Sequence, residues 1–237
     1  MFTYKGKSSR DMGLQINGNL EFEAPRRDVN LVSVAGRDGD LVMDNGRFEA
    51  VTKTINCRLK TDDESVESVV NRIHNWLAVD VGYHDFLWSG DPAFTYLAMV
   101  ESPSRTERVL SKLARMALKF RLHPVKYLTS SLTEQRITSG TVIDNPFVLD
   151  AKPVIRVVGT GTLNFTIGGQ EFELRNIDNG ITVDSESMTV ASFDGRDMEF
   201  DKLYGSFPVL KPGDNLISFS GTGDFQVFIT SRLGALV

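Results

Sequence analysis

One cysteine in 237 residues is the first limit this sequence sets. Cys57 alone excludes an internal disulfide and any zinc site built from several thiolates. It stands in Ile55-Asn56-Cys57-Arg58-Leu59, alternating with apolar neighbours, which reads as a small buried side chain rather than a reactive thiol. Long apolar runs are missing as well. Nothing approaches the ~20 residues of a membrane-spanning helix. The opening MFTYKGKSSRDMGL has no apolar core of signal-peptide length, so the expectation is a chain made and folded in a cytoplasm. An excess of basic charge is also absent. A net charge of −5 and a pI near 5.3 argue against broad nucleic-acid binding and favour solubility.

Catalytic patterns are scarce in the same way. The three histidines, His74, His84 and His123, are scattered, and neither an H-E-x-x-H helix nor a G-x-S-x-G elbow occurs. His84-Asp85 could orient an imidazole, but no serine or cysteine nucleophile stands beside it. Gly159-Thr160-Gly161 lacks the third glycine and the following helix of a dinucleotide site. Asp184 and Glu186, two residues apart on a strand, read as one solvated face rather than an acid pair. Asp38, Asp40, Asp44 and Asn45 invite a calcium reading, yet Val42 interrupts the alternate oxygen ligands that such a loop needs, leaving two polar turns. The chain is therefore expected not to be an enzyme, with no catalytic, cofactor-binding or metal residue.

What is present is β-structure. A hydrophobic content of 41% with 24% charged residues belongs to a soluble globular protein, and the length suits two domains. Phe2-Thr3-Tyr4 and Leu14-Gln15-Ile16 read as short strands, the second broken by Asn17-Gly18-Asn19. Leu31 to Val34 and Leu41 to Met43 follow, separated by Gly36-Arg37-Asp38-Gly39-Asp40. Asn45-Gly46 then reads as a hairpin turn, because both residues tolerate positive φ, leading into a long strand from Arg47 to Lys60. Thr61 to Val79 is the one helix: Thr61 and Glu64 form a capping box, and Val66, Val69, Val70, Ile73, Trp76 and Leu77 make one apolar stripe. His74 lies off that stripe, as a solvated surface residue. Phe94 to Glu101 alternates as a strand. Residues 105–113 could be helical, whereas Met116, Leu118, Phe120 and Leu122 against Arg115, Lys119 and Arg121 have period two, so 113–123 reads as a strand with a solvated basic face.

Residues 129–146 are polar and rich in turn formers, and a domain boundary is expected there, with domains 1–135 and 136–237. Beyond it come Val154 to Val158, Leu163 to Ile167, Gln170 to Leu174, Ile181 to Val183 and Met188 to Ala191, punctuated by glycine pairs and Asn179-Gly180. Lys211-Pro212-Gly213-Asp214 has type II turn chemistry before Leu216 to Ser220, and Gly221-Thr222-Gly223-Asp224 turns into Phe225 to Thr230. Seven short strands at this spacing point to a jelly-roll β-sandwich.

Three pieces taken in order carry a resemblance. They are Gly36-Arg37-Asp38-Gly39 before a hairpin, Asn145-Pro146 with Ala151-Lys152-Pro153 opening a β domain, and the run Gly205-Ser206-Phe207-Pro208-Val209-Leu210-Lys211-Pro212-Gly213-Asp214-Asn215, with Asp184-Ser185-Glu186 between the last two. Together they resemble the distal tail proteins of long, non-contractile-tailed bacteriophages and prophages, over nearly the whole chain. That resemblance implies a mainly β fold, with an N-terminal β domain carrying one helix, followed by a C-terminal galectin-like sandwich. It implies a virion protein of the tail tip, made in the bacterial host, whose N-terminal domain closes into a homo-hexameric baseplate ring. Its implied partners are the major tail-tube protein, the tail-tip and tape-measure proteins and, often, the receptor-binding protein. On that reading residues 31–60 and 94–123 supply much of the subunit interface. The alternative is a carbohydrate-binding module, with Phe193, Tyr204 and Phe225 as the aromatic candidates for stacking on host cell-wall saccharide.

Overall fold

The computed structural model of the protein describes residues 1–17, 23–61, 64–110 and 112–237, and the side chains of 102–105 lie outside that description. The break expected at Asn17-Gly18-Asn19 runs into residues outside it. The chain forms two compact units, residues 1–126 with 236–237, and residues 127–235.

The first unit begins with β1 (Phe2–Tyr4), β2 (Lys7–Ser8), β3 (Leu14–Ile16), β4 (Arg27–Ser33), β5 (Asp40–Phe48) and β6 (Val51–Lys60). Helix α1 (Val66–Ala78) is followed by β7 (His84–Trp88), β8 (Phe94–Leu110) and β9 (Leu113–Leu122). An antiparallel sheet runs in the order β2-β1-β7-β8-β9-β6-β3, while among the described residues β4 and β5 pair only with each other. Period two decides the faces. Along β9 the residues Ala114, Met116, Leu118, Phe120 and Leu122 are buried, and Arg115 and Arg121 are exposed. Residues 105–110 continue β8 as a strand instead of forming a helix, because they pair with β9 across several register shifts. Ten residues of β6 pair in unbroken register with β9, so Ile55, Cys57 and Leu59 share the core side. Cys57 is buried, and desolvation pushes its thiol up to about 12, which leaves it protonated and unreactive.

Helix α1 covers that side. Its buried residues are Val66, Val69, Ile73, Trp76 and Leu77, with Val70 packed beside them, so the stripe read from the sequence is the docking face. Its start is four residues later than expected. Ser65, not Thr61, is the N-cap, and its Oγ accepts the Ser68 N–H at 3.1 Å. Thr61 instead ends the preceding extended segment, with its amide donating to the Lys112 carbonyl and its side chain buried. Glu64 pairs with Arg72 rather than closing a capping box. The centre of the unit is aromatic: Phe2 stacks on Phe86 at 5.3 Å, Tyr4 meets Phe120 edge-on at 5.3 Å, and the Trp76 indole donates to the Tyr4 carbonyl at 3.1 Å.

β10 (Val125–Leu128) and β21 (Gly234–Leu236) carry the chain into and out of the second unit. Its own strands are β11 (Gln135–Ile137), β12 (Thr141–Asn145), β13 (Val154–Val158), β14 (Gly161–Ile167), β15 (Gln170–Ile177), β16 (Gly180–Asp184), β17 (Thr189–Ser192), β18 (Leu203–Gly205), β19 (Gly213–Thr222) and β20 (Gln226–Thr230). They make two five-stranded antiparallel sheets, β11-β20-β13-β16-β17 and β12-β19-β14-β15-β18. Ile155, Val157, Ile181, Val183 and Ile229 of one sheet and Leu163, Phe165, Ile167, Leu174 and Ile217 of the other fill a single core, the β-sandwich that the strand spacing predicts. Part of the polar stretch 129–146 is built into this unit. Ser131 and Ile137 are buried, and Ser131 Oγ accepts the Leu233 N–H at 3.0 Å. The turn before β19 is held by buried Asn215, which donates to the carbonyls of Lys211 and Gly213 and accepts from the Lys211 amide.

Candidate assembly surface

The β4–β5 ribbon departs most from what a lone globular unit requires. Val29, Leu31, Val32, Val34, Leu41, Val42 and Met43 are all exposed, Leu31 to 62% and Val42 to 61%. Residues directly opposite each other share a face, so Leu31 and Val42 lie on one side, and Val32 with Leu41 on the other. Both faces are therefore apolar. A two-stranded ribbon is marginal in water without a further layer. Among the described residues of the first unit, none supplies that layer.

The ribbon's geometry is nonetheless fixed. Its turn is the segment 34–39, where the Arg37 amide donates to the Val34 carbonyl, and not Asn45-Gly46 as the sequence reading has it. Asn45 and Gly46 sit inside β5, where Arg27–Val29 opposes Asp44–Phe48 across a register shift. Gly46 has φ +73, the left-handed conformation that a hairpin turn and a bulge both need, so the same dipeptide serves either. The strand expected to run unbroken from Arg47 to Lys60 is divided after Phe48. Ion pairs tie the base of the ribbon. Arg27 donates to both oxygens of Asp44, with Nη2 at 2.7 Å, and Asp28 accepts from Arg47 at 2.6 Å and from Asn45 at 2.9 Å. Hydrogen bonds from Asn45 and Arg47 to Asp28, and from Arg27 to Asp44, hold both carboxyls below the ordinary carboxylate range. Asp44 and Asn45, half of the calcium reading, are thus engaged with Arg27 and Asp28.

The other candidates fall elsewhere. His84 lies with its Nε2 3.0 Å from Asp80, while its sequence neighbour Asp85 is exposed on the opposite parity of β7. His123 accepts the Val125 amide at 3.2 Å, and His74 is half-buried on α1 rather than fully solvated. Asp184 is half-buried and Glu186 exposed, and both are engaged. Arg232 grips Asp184 through two hydrogen bonds at 2.7 and 3.1 Å, and the Tyr127 hydroxyl donates to Glu186 at 3.0 Å. The clamp joins the start and end of the second unit to its β16–β17 turn, which no local sequence pattern signals. Burial and the neighbouring Glu186 carboxylate raise the Tyr127 pKa above the ordinary phenol range.

Of the aromatic candidates, Phe193 and Tyr204 are exposed, and Phe200 and Met198, between them in the chain, are exposed too. They occupy the crossing from β17 to β18, and the Arg175 guanidinium lies 3.9 Å from the Tyr204 ring centroid. Phe225 is different. Its ring fills the space above Gly159 and Gly161, where a Cβ would collide, and it packs against the sandwich core. Gly159-Thr160-Gly161 therefore serves close packing between strands.

Comparison with known proteins sets these features in context. No family model and no curated protein matches the chain. Among solved structures, the SPP1 Dit (gp 19.1) protein, described as a paradigm of the hub adsorption apparatus in phages infecting Gram-positive bacteria, matches with a TM-score of 0.70 at 17% sequence identity. The match covers 99% of this chain and 98% of that one. From end to end, this chain has the fold of a phage Dit protein.

Proposed function

We propose that this chain is a distal tail component, a baseplate hub whose copies close into a homo-hexameric ring joining the tail tube to the tail-tip and host-adsorption apparatus. The observation that carries the reading is the β4–β5 ribbon, with exposed apolar side chains on both faces. Such an element is completed by assembly, and a ring removes the cost of its exposure. The end-to-end fold match to a protein described as part of a hub adsorption apparatus supports the same reading. Residues 31–48 lead the predicted subunit interface, with β6 and the β8–β9 pair contributing from residues 49–60 and 94–123. The tube protein, the tail-tip and tape-measure proteins and a receptor-binding protein are the remaining partners, and the working place is the virion tail tip after synthesis in host cytoplasm. The proposal assigns the first unit to the ring and the second unit, which begins at residue 127, to a galectin-like outer domain. Light scattering coupled to gel filtration, with negative-stain images, tests it. A hexamer-sized species with a central channel is expected, and a monomer in the presence of its tube and tip partners would overturn the ring.

A second reading rests on Phe193, Phe200 and Tyr204 at the surface of the second unit. The Tyr204 ring beside the Arg175–Glu173 ion pair suits the stacked and hydrogen-bonded recognition of a sugar ring, so the second unit would bind host wall saccharide. Calorimetric titration with host wall polysaccharide decides this. No heat at millimolar repeat units would remove it.

A further inference from the structure

A ring built by one repeated contact needs two unlike patches on each chain, one that inserts and one that receives. The β4–β5 ribbon is the first. The receiving patch is sought among the other exposed large apolar side chains described in the first unit: Met1, Val79, Val81, Tyr83, Leu87, Val109 and Leu110. Val109 and Leu110 stand among Glu107, Arg108 and Lys112, and Met1 and Leu87 share one face of the β1–β7 pair with polar Thr3 and Ser89. Val79, Val81 and Tyr83 instead fall within five residues of the short link between α1 and β7, Val79 exposed to 78% and Val81 to 88%. The link is held rather than frayed. Asp80 lies 3.4 Å from the Lys5 ammonium and 3.0 Å from His84 Nε2, and the Tyr83 ring meets His123 edge-on at 5.8 Å. A pre-ordered apolar patch loses little entropy on binding.

Charge agrees with this pairing. Asp85, next along the chain, is exposed and has no ion pair among the described residues, and Arg37 at the ribbon's turn is likewise exposed and unpaired. We infer that the Leu31–Val42 face of the ribbon in one copy seats on the Val79-Asp80-Val81-Gly82-Tyr83 link of the next copy, with Arg37 directed to Asp85. This rests on the ring reading and names the receiving surface within it.

The test joins the two patches covalently. The full chain carrying both Val42→Cys and Val81→Cys, with buried Cys57 left in place, is oxidised and run on a denaturing gel, beside each single variant. The expected result is a ladder of covalent oligomers from the double variant, at least tenfold more intense than from either single one. In parallel, Val81→Asp is expected to lower the ring-sized fraction about tenfold in light scattering, while Val148→Asp, at an 86% exposed site in the second unit, leaves it unchanged. Rings that form without the ladder and survive Val81→Asp would overturn the receiving patch and leave the ring reading intact. A chain that stays monomeric and gives no ladder would overturn both.

Discussion

The two units solve the same problem with different completeness. Both are antiparallel β-structures around one apolar core. The second unit turns the buried sides of its two sheets toward each other and leaves no ribbon unpaired. The first uses one helix to cover its sheet and leaves β4 and β5 as a separate pair with apolar side chains exposed on both sides. Charge divides along the same line. Residues 1–126 carry 18 Lys and Arg against 17 Asp and Glu, and residues 127–237 carry 8 against 14, so the net −5 belongs to the second part of the chain. A nearly neutral surface with exposed apolar side chains favours close association, and an acidic one favours solvent. The contrast teaches that a stable core and an unfinished edge can be properties of one short chain, and that the unfinished part is where function is sought.

Substitutions can break this comparison or sharpen it. The largest effect is expected inside the finished unit. Phe165 is buried and stacked on Phe172 at 4.8 Å, so Phe165→Ala should cost about 3–5 kcal/mol in urea unfolding of the second unit. A loss below about 1 kcal/mol would mean the sandwich core is looser than its packing implies.

The clamp on Asp184 comes next. Burial alone would raise the Asp184 pKa, but hydrogen bonds from Arg232 and from the Glu186 amide outweigh it, leaving the group below its ordinary value. A depressed folded-state pKa gives stability that is present above the unfolded value and is lost as pH falls through the folded one. Melting temperature should therefore hold from neutral pH to about 4 and fall below it. Asp184→Asn is expected to cost about 1–3 kcal/mol at neutral pH and to flatten that acid limb. An unchanged limb would place the acid sensitivity in other carboxylates.

A smaller effect belongs to the first unit's helix. Ser65→Ala removes the cap of α1 and should cost about 1 kcal/mol, whereas Thr61→Val, at a buried hydroxyl without a hydrogen-bond partner among the described residues, should be close to neutral. Equal losses from the two would return the cap to Thr61.

The smallest effect on folding is expected where the functional effect is greatest. Leu31→Ala combined with Leu41→Ala should change monomer stability by no more than about 0.5 kcal/mol, since both side chains are exposed. The same pair should remove the ring-sized species from light scattering. Loss of folding instead of assembly would show that the ribbon closes on its own chain.

The sequence by itself determined whatever depends on local periodicity. Alternation in 113–122 sorted Met116, Leu118 and Phe120 to the core, and the spacing of Val66, Val69, Ile73, Trp76 and Leu77 set the buried face of α1 before any packing was known. Seven strands of the second unit were legible in the same way, whereas β11 and β12, within the polar stretch 129–146, and the short β18 were not. The tertiary structure alone decided matters in which several local solutions have similar energy. Asn45-Gly46 accommodates a turn or a bulge equally well, and pairing with β4 selected the bulge. Thr61 and Ser65 can each cap a helix, and the path of the chain from β6 chose Ser65. His84 met Asp80 rather than Asp85, because successive residues of a strand face opposite ways. Above all, exposure is a property of what is left uncovered after every strand has found its neighbour. The pattern of 29–43 marks apolar strands, and only the pairing shows that, among the described residues, neither a third strand nor a covering layer joins them.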